Sequence, residues 1–319
     1  MSSSFRASRR TLVLLAGVLD VPMVSGVVRA FTTTPRSELV EARGVPVEIL
    51  RPRGDGPWPA WLFVNGAHPE RRREPVVTRL ADGLARAGFL VLVPDLPGLG
   101  EGEITVRTLE ATANVTAAAA DLADVRDGRV ALIGASTGAG LALVTAGTKE
   151  LADRISVVAA VAPYANLDKL VCMATTSHYR EDTGFERYAV TDLHREVVTR
   201  SLLGAAGEDG RAAVDALLAN TDPNRFAELY AALPLDVRTL VEQLSPFRVA
   251  SSVRAPVEVI VPPTDDYFPL GEARSLAAAL PNVRLTVTGT LDHTRPSLSR
   301  IAEFPSFLGF VVRGLLAAD

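Results

Sequence analysis

Cysteine is almost absent from this 319-residue sequence. The only one, Cys172, excludes an internal disulfide and is too isolated for a thiolate metal cage. An excess of positive charge is also missing: 33 Lys and Arg stand against 37 Asp and Glu, a formal net charge of −4. A nucleic-acid footprint needs a clustered basic excess, so that class of partner is excluded. Gly (24) and Pro (21) are close to ordinary usage, which excludes collagen-like and low-complexity chains. No internal repeat is visible, and the apolar run before Asp20 is too short to span a bilayer. What is present is a 48% hydrophobic chain, enough apolar mass for the core of a globular, mildly acidic protein.

The first 36 residues carry two readings. Arg6, Arg9 and Arg10 precede an apolar stretch from Thr11 to Val28, interrupted by Asp20 and Pro22. Basic and apolar regions in that order, Ser8-Arg9-Arg10-Thr11-Leu12 as a twin-arginine-like start and Val28-x-Ala30 as a cleavage site describe an export signal. The helical spacing of Leu12, Leu15 and Leu19 favours instead an uncleaved amphipathic helix that packs on the fold or touches a membrane surface. The second reading implies a cytoplasmic protein with peripheral membrane contact through this helix.

Beyond residue 36, apolar runs of strand length alternate with helical patterns. Val47–Leu50, Ala60–Val64, Phe89–Pro94, Arg129–Gly134, Ser156–Val161, Val257–Val261 and Val283–Val287 read as strands. Most are apolar on both faces, as strands buried in a helix-covered parallel sheet are. Val47–Leu50, with Glu48 inside it and Pro46 before it, suits an edge. Helical patterns cover Val76–Ala87, Thr105–Ala123, Gly138–Leu151, Leu270–Ala279 and Phe304–Leu316. The alternation predicts an α/β fold with a mostly parallel central sheet flanked by helices. Residues 37–165 and 253–319 form its core. Residues 166–252 break the rhythm: no clear strand is seen, and helical patterns at Gly210–Leu218, Arg225–Leu233 and Asp236–Leu244 suggest a helical cap inserted over one end of the sheet.

Gly134-Ala135-Ser136-Thr137-Gly138 is a G-x-S-x-G motif, with the apolar run Val130–Ile133 before it and a small-residue helix after it. A sharp strand-to-helix turn needs small neighbours and pushes the serine hydroxyl out beside a helix N-terminus. A serine hydroxyl attacks only when a base takes its proton. Of four histidines, His293 follows the last strand at the same sheet end, His68 follows Ala60–Val64 and could line a pocket, and His178 and His194 fall in the cap as surface residues. The histidine needs a carboxylate to fix its tautomer. Asp265 or Asp266 ends the preceding strand, and Asp168 is a further option. The order serine, acid, histidine is that of the α/β-hydrolase triad.

From about Ser37 onward the chain resembles α/β-hydrolase fold proteins, and within them bacterial serine esterases and the dienelactone-hydrolase-like group. Leu62–Glu70, Val93–Gly100, the Ser136 turn and the acid and His293 loops carry the likeness. The resemblance implies a catalytic set of Ser136, Asp265 and His293. It favours Asp265 because an acid four residues before a proline, here Pro269, is the usual one. It also implies an oxyanion hole from the Ala67 and Thr137 N–H groups, with no cofactor or metal required. Asn65 replaces the usual His of the turn, and the nucleophile is Ser where true dienelactone hydrolases have Cys. Ser136 also counts against dehalogenase and epoxide-hydrolase chemistry, which need an Asp there. The implied activity is hydrolysis of a carboxylic ester, or a related acyl bond, of a small or medium substrate through an acyl-serine. A thioesterase, amidase or peptidase would use the same triad, and a non-catalytic ligand-binding domain is the alternative from another class.

Overall fold

The computed structural model describes residues 10, 11, 13, 14, 32–181, 183–297 and 300–319. Its centre is an eight-stranded sheet in the order β1-β2-β4-β3-β5-β6-β9-β10. The strands are β1 (Arg36–Ala42), β2 (Val45–Arg51), β3 (Trp58–Val64), β4 (Leu90–Pro94), β5 (Val125–Ala135), β6 (Ile155–Val161), β9 (Val257–Val261) and β10 (Val283–Val287). β1 and β2 run antiparallel to each other, β2 antiparallel to β4, and the other pairs are parallel.

Alternation along β3 sorts side chains between two cores. Ala60, Leu62 and Val64 point to one face, covered by α2 (Val106–Ala120), α3 (Thr137–Ala146) and α8 (Leu270–Ala279). Trp61 and Phe63 point to the other, covered by α1 (Pro75–Arg86) and α9 (Phe304–Ala318). β4 and β9 are buried along their whole length, the continuous apolar run that helices on both faces demand.

Two expectations at this level are corrected. Val47–Leu50 is not an edge strand, because β1 pairs with it from Arg36↔Arg51 to Ala42↔Val45. β1 escaped notice because its residues are mostly polar and exposed, as befits the true edge. The region 166–252 also contains strands: β7 (His178–Glu181) and β8 (Gly184–Arg187) form a small antiparallel hairpin.

The remainder of that region is helical. α4 (Leu167–Thr176) leaves β6, and α5 (Asp192–Leu218) bends at Gly207, whose φ is 61°. α6 (Phe226–Ala231) and α7 (Leu235–Gln243) lead back toward β9. These helices share their own apolar cluster, with Val171, Leu202, Val214 and Val237 at its centre. Ser201 of α5 ties the layer to the sheet end, accepting a hydrogen bond from the Ile104 N–H at 2.9 Å.

Arg10, Thr11, Val13 and Leu14 are helical. Val13 and Leu14 are buried beside α1, and Arg10 pairs with Asp319 at 2.7 Å. Residues 32–35 are irregular and Arg36 opens β1; the other positions on which an export signal or amphipathic helix was expected lie outside the described residues. Among the described residues no helix is long and apolar enough to cross a membrane.

Candidate active site

β5 runs straight into α3, and Ser136 sits between them with φ 54° and ψ −124°. Only a tight turn holds a non-glycine residue there, at a cost of about 1–3 kcal/mol. The flanking glycines explain how the chain closes. A Cβ on Gly138 would lie 1.9 Å from the Val64 carbonyl oxygen, and one on Gly134 would lie 2.5 Å from the Ala139 Cα. β3 and α3 therefore approach the turn more closely than any side chain allows. The Ser136 N–H is bonded to the Val161 oxygen at 2.9 Å, which fixes the turn to β6.

His293 occupies the first turn position of a two-residue hairpin between β11 (Leu291–Asp292) and β12 (Arg295–Pro296), with φ 51°. Its Nδ1 donates to Asp265, at 2.8 Å from Oδ2 and 3.0 Å from Oδ1. Asp265 Oδ1 also accepts the N–H groups of Tyr267 (2.7 Å) and Phe268 (3.2 Å). Those bonds fix the carboxylate, and the carboxylate fixes the imidazole with its proton on Nδ1, leaving Nε2 as the basic nitrogen. Two aromatic rings complete the seat: Tyr267 lies 4.3 Å from the His293 ring at a 31° tilt, and Phe268 meets it edge-on at 5.6 Å.

Ser136, Thr137, Ala67 and His293 all line one cavity of about 450 Å³ at the carboxyl end of the sheet, beneath the helices that follow β6. Among the described residues, the N–H groups of Ala67 and Thr137 make no hydrogen bond within the protein. Both are therefore free to donate one to a group entering the cavity. Thr137 also opens α3, so the positive end of that helix faces the same space.

The other expected residues fall into place around this centre. Asp266 lines the cavity, but the carboxylate on His293 is that of Asp265. Asp168 sits exposed in the first turn of α4. His68 lines the cavity, where its Nδ1 accepts the Glu70 N–H at 3.3 Å. Asp95 pairs with the Arg72 guanidinium and accepts the Arg72 N–H at 3.2 Å. Cys172 is buried, and burial raises its thiol pKa. Tyr179 is buried, donating to Glu272 at 2.5 Å, and the Tyr188 hydroxyl donates to the Asp265 carbonyl.

His194 corrects an expectation. It is not on the surface: 7% of it is exposed, and its ring lies edge-on to Phe268 at 5.9 Å in the cavity wall. The signal was present, since His194, Val198, Ser201 and Leu202 recur at helical spacing on one face of α5. Glu272 was also missed. Fully buried at the start of α8, it accepts the N–H groups of Ala165 (2.7 Å) and Asn166 (2.6 Å), pinning the chain where it leaves the sheet for the helical insertion. Its pKa is raised by burial, against the pull of these hydrogen bonds. No cluster of His, Cys, Asp or Glu among the described residues is arranged to hold a metal ion.

A mostly parallel sheet between two helical layers, with a strained serine turn and a carboxylate-held histidine lining one cavity, is the architecture of an α/β hydrolase. The sequence profile of the alpha/beta hydrolase family matches residues 61–304, and the chain belongs to that family. The fold is similar to that of the 2,6-dihydroxy-pseudo-oxynicotine hydrolase, with a TM-score of 0.59 and 16% identity over 93% of this chain and 73% of that one. It is similar to Est1E from Butyrivibrio proteoclasticus (TM-score 0.54, 12% identity, 88% of this chain and 98% of that one). It is also similar to the acylaminoacyl peptidase of Pyrococcus horikoshii (TM-score 0.54, 13% identity), matching over 90% of this chain but only 41% of the peptidase. No curated protein matches the chain by sequence.

Proposed function

We propose that this α/β hydrolase is a serine esterase acting on small or medium acyl groups. The observation that carries the reading is the strained Ser136 in one cavity with a histidine whose Nδ1 is held 2.8 Å from Asp265. His293 Nε2 removes the Ser136 hydroxyl proton as Oγ attacks the carbonyl carbon, while Asp265 stabilises the imidazolium. The oxyanion accepts the Ala67 and Thr137 N–H groups, aided by the α3 dipole. As the tetrahedral intermediate collapses, the leaving alkoxide takes the proton from Nε2 and acyl-Ser136 remains. Water then gives a proton to His293, attacks the acyl carbon, and releases the acid as the proton returns to Oγ.

A cavity of about 450 Å³ suits a small or medium substrate. The insertion contributes an apolar wall from Leu170, Val171, Val198 and Leu240, which fits an acyl chain. The test is intact-mass labelling with a fluorophosphonate. One adduct on the wild type and none on Ser136→Ala is the expected result, and no adduct on folded wild type would overturn the assignment. Hydrolysis of p-nitrophenyl butyrate well above that of the matching p-nitroanilide separates an esterase from an amidase.

A further inference from the structure

The helical insertion puts few polar side chains into the cavity wall, and they are not equivalent. Ser201 of α5 is fully engaged: its Oγ donates to the Val197 oxygen at 2.7 Å and accepts the Ile104 N–H at 2.9 Å. His194, two turns earlier on the same face, has a buried Nδ1 with no hydrogen-bond partner among the described residues. That burial closes Nδ1 to the cavity, so Nε2 is the ring nitrogen that a ligand there can reach. The neighbourhood on this side is otherwise apolar, with Val198 next along the helix and the edge of Phe268 against the ring. Phe268 also contacts His293, so His194 stands one ring away from the reacting centre.

We infer that His194 is a specificity-determining residue whose imidazole hydrogen-bonds an uncharged oxygen, hydroxyl or carbonyl, on the part of the substrate lying under the helical insertion. The substrate class is then an ester of an oxygenated acyl group, not of a plain alkyl acid. The inference rests on the serine-esterase reading above. Charge complementarity with an anionic substrate is not what the site offers. Burial, then Arg195 and His293, hold the imidazole pKa down to about 4, so the ring is neutral near pH 7. A neutral imidazole presents Nε2 as a donor or as an acceptor according to its tautomer; a hydroxyl answers either form, and a carbonyl answers the donor. Leaving that site opposite a methylene wastes the pairing and selects against plain alkyl chains.

The experiment compares p-nitrophenyl pentanoate with the 3-hydroxypentanoate and 4-oxopentanoate esters, each rate normalised to alkaline hydrolysis of the same ester. In the wild type, kcat/KM for at least one oxygenated ester should exceed that for pentanoate by about 3- to 10-fold, the value of one net hydrogen bond. In His194→Phe the ratio should fall to one or below while pentanoate hydrolysis persists, and His194→Gln should retain part of the preference. A wild-type ratio at or below one for both esters overturns the inference without any variant, so it stays open to refutation even if His194→Phe does not fold. A preference that survives in His194→Phe overturns it as well. Fluorophosphonate labelling of the same samples separates the two levels. An adduct without preference overturns only the role of His194, whereas no adduct overturns the serine reading and this inference with it.

Discussion

Asp265→Asn is the substitution on which the geometry speaks most directly. Asp265 Oδ1 accepts two backbone N–H groups, from Tyr267 at 2.7 Å and Phe268 at 3.2 Å. An asparagine carbonyl oxygen can take over both bonds, so the side-chain orientation is preserved. The amide NH2 then occupies the Oδ2 position, 2.8 Å from His293 Nδ1. A donor at this nearer contact opposes an Nδ1 proton, and with only the Oδ1 position at 3.0 Å left to accept it the imidazole shifts toward carrying its proton on Nε2, the nitrogen that should accept the Ser136 proton. The imidazolium also loses its counter-charge. In the serine-protease triad the same wrong tautomer costs about 10⁴-fold in kcat. We expect a loss of about 10³- to 10⁴-fold in kcat/KM here, or about 4 to 5.5 kcal/mol of transition-state stabilisation. Because the fold-side hydrogen bonds survive, stability should change by less than about 1 kcal/mol. The assay is p-nitrophenyl butyrate hydrolysis beside urea unfolding of both proteins. A loss below tenfold, or a loss accompanied by unfolding at the assay temperature, would refute the argument from tautomer control.

Three further substitutions test other parts of the structure. Gly138→Ala places a Cβ 1.9 Å from the Val64 oxygen and 2.3 Å from the Asn65 oxygen, both backbone atoms that must move. Urea unfolding should register about 3 kcal/mol or more of destabilisation, and a near-wild-type midpoint would mean the turn is looser than described. Glu272 has a folded-state pKa raised above its ordinary value by burial, so the native state holds its proton more tightly than the unfolded chain does. Its contribution to stability is therefore present below the ordinary carboxylate pKa and lost as pH rises through the folded value. Unfolding free energies of wild type minus Glu272→Gln should decline across that window, and a difference that grows with pH would contradict burial as the dominant cause. His194 behaves oppositely: its pKa falls from 6.5 to about 4, so the unfolded chain takes up a proton that the native one refuses. Stability present above pH 6.5 should fall by about 3 kcal/mol between there and pH 4, and His194→Leu should lose correspondingly less, as urea titrations at pH 7 and pH 4 would show.

What was legible in the sequence follows how local each signal is. β9 and β10 coincide with the runs Val257–Val261 and Val283–Val287, and α8 with Leu270–Ala279. In β9 and α8 burial writes its period directly into the residues, and β10, an edge strand that is only half-buried, still keeps the alternation Val283, Leu285, Val287. β1 was illegible because Arg36, Ser37, Glu38 and Glu41 break up its few apolar residues, and β7 and β8 are four residues each. The positions of Ser136 and His293 could be inferred because a turn motif and a strand end are local features. The choice between Asp265 and Asp266 was open on the residues alone: adjacent acids differ only in where the loop aims them, and that depends on the Tyr267 and Phe268 N–H groups closing back on one carboxylate. His194 was misjudged for a related reason. A histidine in an insertion is a surface residue by default, and only the packing of α5 over the sheet end turns its face inward.

The distribution of backbone strain connects these observations. Of seven non-glycine residues at positive φ among the described residues, four (Arg43, Arg71, Asp127 and Ser177) lie in other turns and three concern the site: Ser136 (φ 54°), Ala162 (φ 48°) and His293 (φ 51°). Two of them end the neighbouring strands β5 and β6, and the third caps the hairpin that follows β10. Such conformations persist only where surroundings over-determine them. Here that is the case: the Ser136 N–H bonds the Val161 oxygen at 2.9 Å and the Ala162 N–H bonds the Ile260 oxygen at 2.8 Å, continuing the sheet ladder one residue past each strand. The buried strands β4, β9 and the interior of β3 supply rigidity without bearing strain themselves. At the carboxyl edge, Ser136 and His293 are thus held out from the backbone in strained turns, and the apolar centre of the sheet is what keeps those turns in place.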